Sequence, residues 1–329
     1  PAPEEPRPSL TRGAPSSYSP AMPAVVTVGN FDGVHLGHQA LVSRAHTEAE
    51  GRGAEVAAMF FDPHPSAFFR PDAVAPQLTT IERRTALLRA AGADRVDVRT
   101  FDGAFAGQSA RAFATDVLHR DHDAVGVVVG PDFRFGKGRE GDVETLRTLG
   151  AELGFEVHEV GPVTHAGAVV SSTRIRRALA AGDVDDARAL LGRFHDLEGE
   201  VVLGDQRGRT IGFPTANLAI APELAIPADG VYAVFAAVAG QRLSGVANIG
   251  VRPTFAAGRS VEVHLFDFEG DLYGQQLPVA FVSRIREERR FDGFEALVAQ
   301  IGRDADEARV RLGAVAETMK EASGGDRPW

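Results

Sequence analysis

The chain reads as two architectures in series: an α/β domain built on a parallel sheet, followed by an antiparallel β domain. Three observations carry this reading. From Ala24 to about Gly192, short apolar β-rich runs alternate with helical patterns, as in βαβ units with helices on both faces of one sheet. After Leu191 the intervening helices stop, and strand-like runs follow one another across Gly/Pro turns, the texture of an antiparallel barrel or sandwich. A length of 329 residues suits about two domains with real cores.

Residues 1–22 are rich in proline, serine and alanine and lack periodicity, so a disordered tail is expected. The domains then span 23–190 and 191–329, with the boundary between about Ala187 and Leu197. In the first domain strands are expected at Val25–Gly29, Glu55–Phe61, Arg95–Arg99, Ala124–Val129 and Phe155–Val160. Helical patterns lie near Gln39–Glu50, Ile81–Ala91, Ala110–His119, Val143–Leu153 and Thr173–Ala181. In the second, strands are expected at Glu200–Leu203, Gly230–Val238, Leu243–Ile249, Ser260–Phe268 and Leu277–Ile285, followed by helices near Gly293–Ile301 and Asp304–Glu317.

Composition narrows the function. With 44% hydrophobic and 24% charged residues the chain is an ordinary globular one. No apolar run approaches the roughly 18 residues that would span a bilayer, and no secretory signal is visible, so a cytoplasmic protein without a membrane partner is expected. A net charge of −10 argues against nucleic acid as a partner. There are no cysteines, which excludes disulfides, thiolate catalysis and Cys-ligated zinc. Lys137 and Lys320 are the only lysines, so phosphate contacts fall to arginine, histidine or hydroxyl groups. Weak homo-oligomerisation is left open.

The most informative segment is Gly29-Asn30-Phe31-Asp32-Gly33-Val34-His35-Leu36-Gly37-His38. It joins a strand to a helix, where free backbone N–H groups and a positive dipole end face an anion. Gly37 would let a phosphate approach the backbone, and two imidazoles would donate to its oxygens. The simpler alternative is a glycine-rich turn with two surface histidines.

Ser171-Ser172-Thr173-Arg174-Ile175-Arg176 opens another helix; it is either plain capping or a second grip on a polyphosphate. Phe60-Phe61-Asp62-Pro63-His64-Pro65 is either a stiff wall of a ring-binding pocket or a structural turn. Two decoys sit in Asp132-Phe133-Arg134-Phe135-Gly136-Lys137-Gly138. The P-loop pattern lacks its Ser/Thr, and the dinucleotide pattern Gly136–Gly141 starts about seven residues beyond its strand.

In the second half, Gly204–Asn217 joins two strands through Gly208, Gly212 and Pro214. Thr215 and Asn217 offer neutral oxygen ligands suited to magnesium, although a β-hairpin loop with a turn proline explains the segment too. Glu262 shares a strand face with His264, opposite Val261, Val263 and Leu265, and is either a surface residue or a base for an alcohol nucleophile.

The 29–38 and 171–176 segments together resemble the nucleotidylyltransferase superfamily. Phe-Asp-Pro-His-Pro and Asp-Phe-Arg-Phe-Gly resemble its FMN adenylyltransferase branch. Gly-Phe-Pro-Thr-Ala-Asn (212–217), Asn-Ile-Gly-Val-Arg-Pro-Thr-Phe (248–255) and Val-Glu-Val-His-Leu-Phe-Asp-Phe (261–268) resemble riboflavin kinase, and Arg-Glu-Glu-Arg-Arg-Phe (286–291) that family's flap over the flavin. The order is that of the prokaryotic bifunctional riboflavin kinase/FAD synthetase family, over about residues 23–319.

The resemblance implies a Rossmann-like parallel sheet and a six-stranded antiparallel barrel with a terminal helix. It implies ATP at Gly29, Phe31, His35, His38, Ser172, Thr173 and Arg176, and FMN at Asp32, Pro63, Pro65 and Asp132. In the barrel it implies magnesium-ATP at Gly212, Pro214, Thr215 and Asn217, and flavin at Glu262 and Arg290. His35, His38 and Glu262 are the expected catalytic groups. Riboflavin and FMN are then substrates, ATP a co-substrate and Mg2+ the cofactor, with FAD made in two steps. Rival readings are a monofunctional FMN adenylyltransferase with a flavin-binding barrel, a nicotinamide-dependent oxidoreductase and a non-catalytic flavin-binding protein.

Overall fold

The computed structural model describes residues 22–204, 208, 212–251 and 259–323, and the side chains of these up to Met319 apart from that of Val251. The expected tail, Met22 apart, lies outside the described residues.

The first half is organised around β1 (Ala24–Val28), buried along its whole length. It is flanked by β2 (Glu55–Asp62) and β4 (Ala124–Val129), with β3 (Arg95–Thr100) and β5 (Glu156–Glu159) outside them, in the order β3-β2-β1-β4-β5. Every pairing in this sheet is parallel. Continuous apolar strands suit a sheet covered on both faces. Val26, Val28 and Met59 pack on one face against Phe113, Leu118 and Leu146. Val25, Ala58 and Phe60 pack on the other against Val42 and Leu88.

The covering helices are α1 (Leu36–Ala49) and α3 (Ile81–Ala90) on one side, and α6 (Val143–Leu153) with the segment after α5 (Ala110–Ala112) on the other. Helix α1 starts three residues before the expected Gln39, because the His35 side chain caps it where Ser or Thr usually would. The segment Phe113–Asp121 continues α5 with the wider π winding and runs past the expected end at His119. Short elements without a clear periodicity also form: α2 (Pro65–Phe69), α4 (Gly103–Ala106) and a hairpin of β6 (Thr164–His165) and β7 (Ala168–Val169). Helix α7 (Ser172–Ala181) leads into α8 (Val184–Leu191), which the sequence reading missed.

The second half is a closed barrel in the order β10-β11-β12-β9-β8-β13. Its strands are β8 (His195–Val202), β9 (Ala216–Ala219), β10 (Gly230–Val238), β11 (Gln241–Val251), β12 (Arg259–Leu265) and β13 (Gln276–Arg286), all paired antiparallel. The two terminal helices expected from sequence are one, α9 (Phe294–Ser323). Gly302 does not break it: the roughly 1 kcal/mol it costs is outweighed by packing of Ala305, Ala308 and Leu312 onto the outer barrel residues Phe235, Val246 and Phe266.

The halves are not strung on a free linker. Ile175, Leu179, Leu190 and Leu191 of α7 and α8 share one apolar cluster with Leu197, Tyr232, Ile249 and Phe281 of the barrel. Between Leu191 and His195 only Gly192, Arg193 and Phe194 intervene. Among the described residues no helix is long and apolar enough to cross a membrane.

Candidate active sites

Beyond β1 the chain enters a turn in which Phe31, Gly33 and Val34 all take left-handed φ angles of 50°, 85° and 40°. A β-branched residue in that region costs on the order of 1–3 kcal/mol and persists only where its surroundings enforce it. Asp32 supplies much of that enforcement. Its carboxylate, 3% exposed, accepts from the Leu78 and Thr79 amides at 2.9 and 3.2 Å, and pairs with Arg84 and Arg176. Arg84 is itself buried, donates to the Asn30 carbonyl and lies 5.0 Å over the Phe60 ring.

The turn delivers two histidines in contact. The His35 and His38 rings stack at 3.6 Å and 16°, and Phe31 meets His38 edge-on. Burial pushes the His35 pKa down to about 4 and that of His38 well below its usual value, so both are neutral at physiological pH. His35 Nδ1 accepts from the His38 amide, which leaves the proton on Nε2. Gly37 also makes room for this pair: a Cβ there would lie 3.1 Å from the His35 ring.

The same would-be Cβ lies 3.9 Å from the Val170 carbonyl, so the start of α7 faces the start of α1. Ser171 caps α7, Ser172 Oγ donates to the Asp32 carbonyl at 2.9 Å, and Thr173 is exposed. Two helix N-termini thus converge beside two neutral imidazoles, an arrangement suited to a polyphosphate. Arg176 contacts Asp32 and the Pro76 carbonyl.

A cavity of about 670 Å³ opens from Gly29 and Asn30. Its apolar wall is phenylalanine: Phe61, Phe69, Phe101, Phe105, Phe133 and Phe135. That volume and lining suit a flat aromatic ligand. Pro65 and Asp132 line it as well, whereas Pro63 and Asp32 do not. For Asp32 the reason is physical, since a carboxylate committed to two amides and two guanidinium groups inside the protein has no face left for a ligand. The glycines of the dinucleotide decoy have local duties: a Cβ on Gly136 would strike the Ala110 amide at 2.6 Å, and one on Gly141 the Phe135 ring. The turn Lys137–Arg139 follows, not a long helix.

In the barrel, Val261, Val263 and Leu265 point into the core, and Glu262 therefore faces outward. Cross-strand register sets Glu262 opposite Asn217 on one side and Asn248 on the other. Asn217 is buried, its amide packed against the Gly204 backbone. Pro214 and Thr215 line a second cavity of about 490 Å³ together with Val263, Leu265, Phe268 and Tyr273. His264 hydrogen-bonds the Pro214 carbonyl at 2.8 Å and pins this segment to β12. Gly212 has φ 83° and Arg290 is exposed. Residues 205–207, 209–211 and 252–258, which complete two of the sequence motifs, lie outside the described residues.

Elsewhere Glu48, Glu156 and His158 come close enough to hold a metal. Arg52 bridges both carboxylates and Arg44 pairs with Glu48, which makes this a surface ion-pair network.

The family model for FAD synthetase matches residues 18–174, and that for riboflavin kinase matches residues 191–312. The chain is 42% identical over 299 residues to the bifunctional riboflavin kinase/FMN adenylyltransferase of Escherichia coli K12, covering 90% of this chain and 95% of that one. It is 39% identical over 294 residues to the enzyme of the same description from Bacillus subtilis 168, covering 87% and 91%. The chain belongs to the bifunctional riboflavin kinase/FMN adenylyltransferase family. A solved Streptococcus pneumoniae structure described as a macrolide-efflux protein superposes with TM-score 0.82 and 32% identity, over 89% of this chain and 96% of that one.

The enzyme phosphorylates riboflavin to FMN and adenylylates FMN to FAD, with ATP in both steps. The oxidoreductase reading falls with this, as do a monofunctional adenylyltransferase and a non-catalytic binder. Of the residues singled out from sequence, the structure brings His35, His38 and Ser172 to one place, Gly29, Pro65 and Asp132 to one cavity, and Asn217 and Glu262 to one register row. Sequence reasoning missed Arg84, Asn248 and the part of the phenylalanine wall beyond the 60–65 segment. Asn248 had a signal in its motif and its even spacing from Val246 along the strand. Arg84 had none, because a buried arginine on a helix looks like any other until its partner is known.

Proposed function

We propose that the enzyme divides its two reactions between residues 23–190 and 191–329, and that the residues brought together above perform them. In the barrel, Glu262 accepts the proton of the ribityl 5′-hydroxyl as that oxygen attacks the γ-phosphorus of ATP, giving FMN and ADP. Thr215 and Asn217, two residues apart, would hold a magnesium ion through neutral oxygens. Magnesium, when bound, supplies charge neutralisation on the phosphates. Gly212 and Pro214 shape the approach of ATP, and Arg290 belongs to the segment that covers the flavin.

In the parallel-sheet domain, a phosphate oxygen of FMN attacks the α-phosphorus of a second ATP and pyrophosphate leaves. His35 and His38 donate hydrogen bonds to phosphate oxygens as charge builds, and Ser172, Thr173 and Arg176 bind the far end of the triphosphate. Gly29 and Phe31 shape the entry for the nucleotide. The flavin ring lies among the phenylalanines, beside Pro65 and Asp132. What carries this assignment is one turn: it begins at Gly29 and Asn30, which line the aromatic cavity, and ends at a neutral histidine pair between two helix N-termini. We further propose a cytoplasmic enzyme without nucleic-acid or membrane partners.

The test is to incubate the enzyme with riboflavin and magnesium-ATP and to follow FMN and FAD by chromatography. His38→Ala is expected to stop at FMN. Glu262→Ala is expected to make no FMN yet still convert added FMN to FAD. Loss of both steps in both variants overturns the assignment of one reaction to each site.

A further inference from the structure

The turn that positions His35 and His38 is tied to the chain segment that begins the barrel. Arg193, between α8 and β8, donates through Nη1 to the Gly33 carbonyl at 2.9 Å, across 160 residues of sequence. Its side chain is 13% exposed and its Nε lies 3.9 Å from Asp196 of β8. Asp196 is in turn held by Arg83 of α3 at 2.6 Å. Gln39, in the first turn of α1, donates through one amide nitrogen to both the Val34 and the Leu191 carbonyls at 2.9 Å. Gly33 and Val34 are two of the left-handed residues that aim His35.

A second tether runs beside the first. The Gln77 amide donates to the Glu223 carbonyl at 2.7 Å, and the Ala225 amide donates to the Gln77 carbonyl at 2.8 Å. The next two residues, Leu78 and Thr79, supply the amides that hold Asp32. Both ends of the strained turn therefore lean on residues from the barrel side of the chain.

We infer that Arg193 and Gln39 are positioning residues for FMN adenylylation, so that the start of the barrel is a working part of the adenylylation site. Neither lines the phenylalanine cavity. They act by fixing Gly33 and Val34, and through them the direction of the His35 and His38 rings. Transfer between bound phosphates depends on alignment, and a displacement of about 1 Å can cost about a hundredfold in rate. This inference rests on the proposed role of His35 and His38.

The test compares full-length Arg193→Met, Arg193→Lys and Gln39→Met with the parent enzyme, measuring FAD formation from FMN and FMN formation from riboflavin. Arg193→Met is expected to lower kcat for adenylylation by about tenfold to a hundredfold. The KM for FMN and the kinase rate should stay within about twofold. Arg193→Lys, which keeps a donor for the Gly33 carbonyl, is expected to recover most of the loss, as a merely space-filling role would not require. Adenylylation unchanged in Arg193→Met, or both reactions falling together, overturns the inference. If Arg193→Met does not fold, Gln39→Met decides by the same outcomes. His38→Ala serves as the control: if it leaves FAD formation intact the role of the histidines fails, whereas if it abolishes FAD formation and Arg193→Met does not slow it, only the positioning role fails.

Discussion

At the scale of single residues, His35 and His195 have a consequence for stability. Burial pushes both pKa values down to about 4, although Asp32 and Asp196, respectively, pull the other way. In the unfolded chain each imidazole takes up a proton near pH 6.5, while the folded protein resists until about pH 4. Their contribution to stability is therefore complete above about pH 6.5 and is lost as the pH falls toward 4, by on the order of 3 kcal/mol each. Urea unfolding at pH 7 and pH 4.5 should show a marked fall in midpoint. His195→Gln should narrow the difference between the two pH values, since the glutamine cannot titrate. Equal differences in the two proteins would show that the acid sensitivity lies elsewhere. Because burial holds both His35 and His38 below the ordinary histidine pKa, adenylylation should lose no activity near pH 6.5 on their account.

At the scale of elements, the motif turn was legible in the sequence as a strand–turn–helix junction, but its internal logic was not. Gly37 read as a gap for phosphate, with no sign that the His35 ring also needs the gap. Asp32 looked like a flavin contact and is an internal strut. Both points have one cause: a motif shows which residue types recur together but not which of them face inward. Where period decides, the reading was good. Val143–Leu153 and Gly230–Val238 form as expected, and the alternation in β12 places Glu262 on the outer face in sequence and structure alike. Where capping or tertiary packing decides, it was poor, as the early start of α1 at His35 and the uninterrupted α9 across Gly302 show. The turn yields its own prediction. Gly37→Ala should lower FAD formation from FMN by about tenfold or more while leaving riboflavin phosphorylation intact, because the methyl group displaces the His35 ring and not the barrel. Steady-state assays of the two half-reactions check this, and an unaffected adenylylation rate would mean that the ring can move aside harmlessly.

At the scale of the whole molecule, two architectures share one interior. The sequence changes texture near residue 190 but gives no sign of α8. Its apolar residues Val184, Ala187, Leu190 and Leu191 make sense only once the barrel core is there to receive them. Shared burial couples the unfolding of the parts. Calorimetry of the full chain should accordingly show one main transition, with calorimetric and van't Hoff enthalpies in agreement. Two separated transitions would show that the common cluster contributes little to holding the halves together.

The grip of Asp32 on Arg176 gives the proposed phosphate site a resident counter-anion of its own. Any phosphate that recruits Arg176 in the proposed way must first displace a carboxylate that is already seated, desolvated and braced by Arg84. Orthophosphate has a single point of attachment with which to compete. A triphosphate can lie across two helix ends and two imidazoles at once and draw the guanidinium away as the last of several contacts. Occupying the site from within would make the enzyme indifferent to the small anions that crowd a cell and responsive to a chain of three.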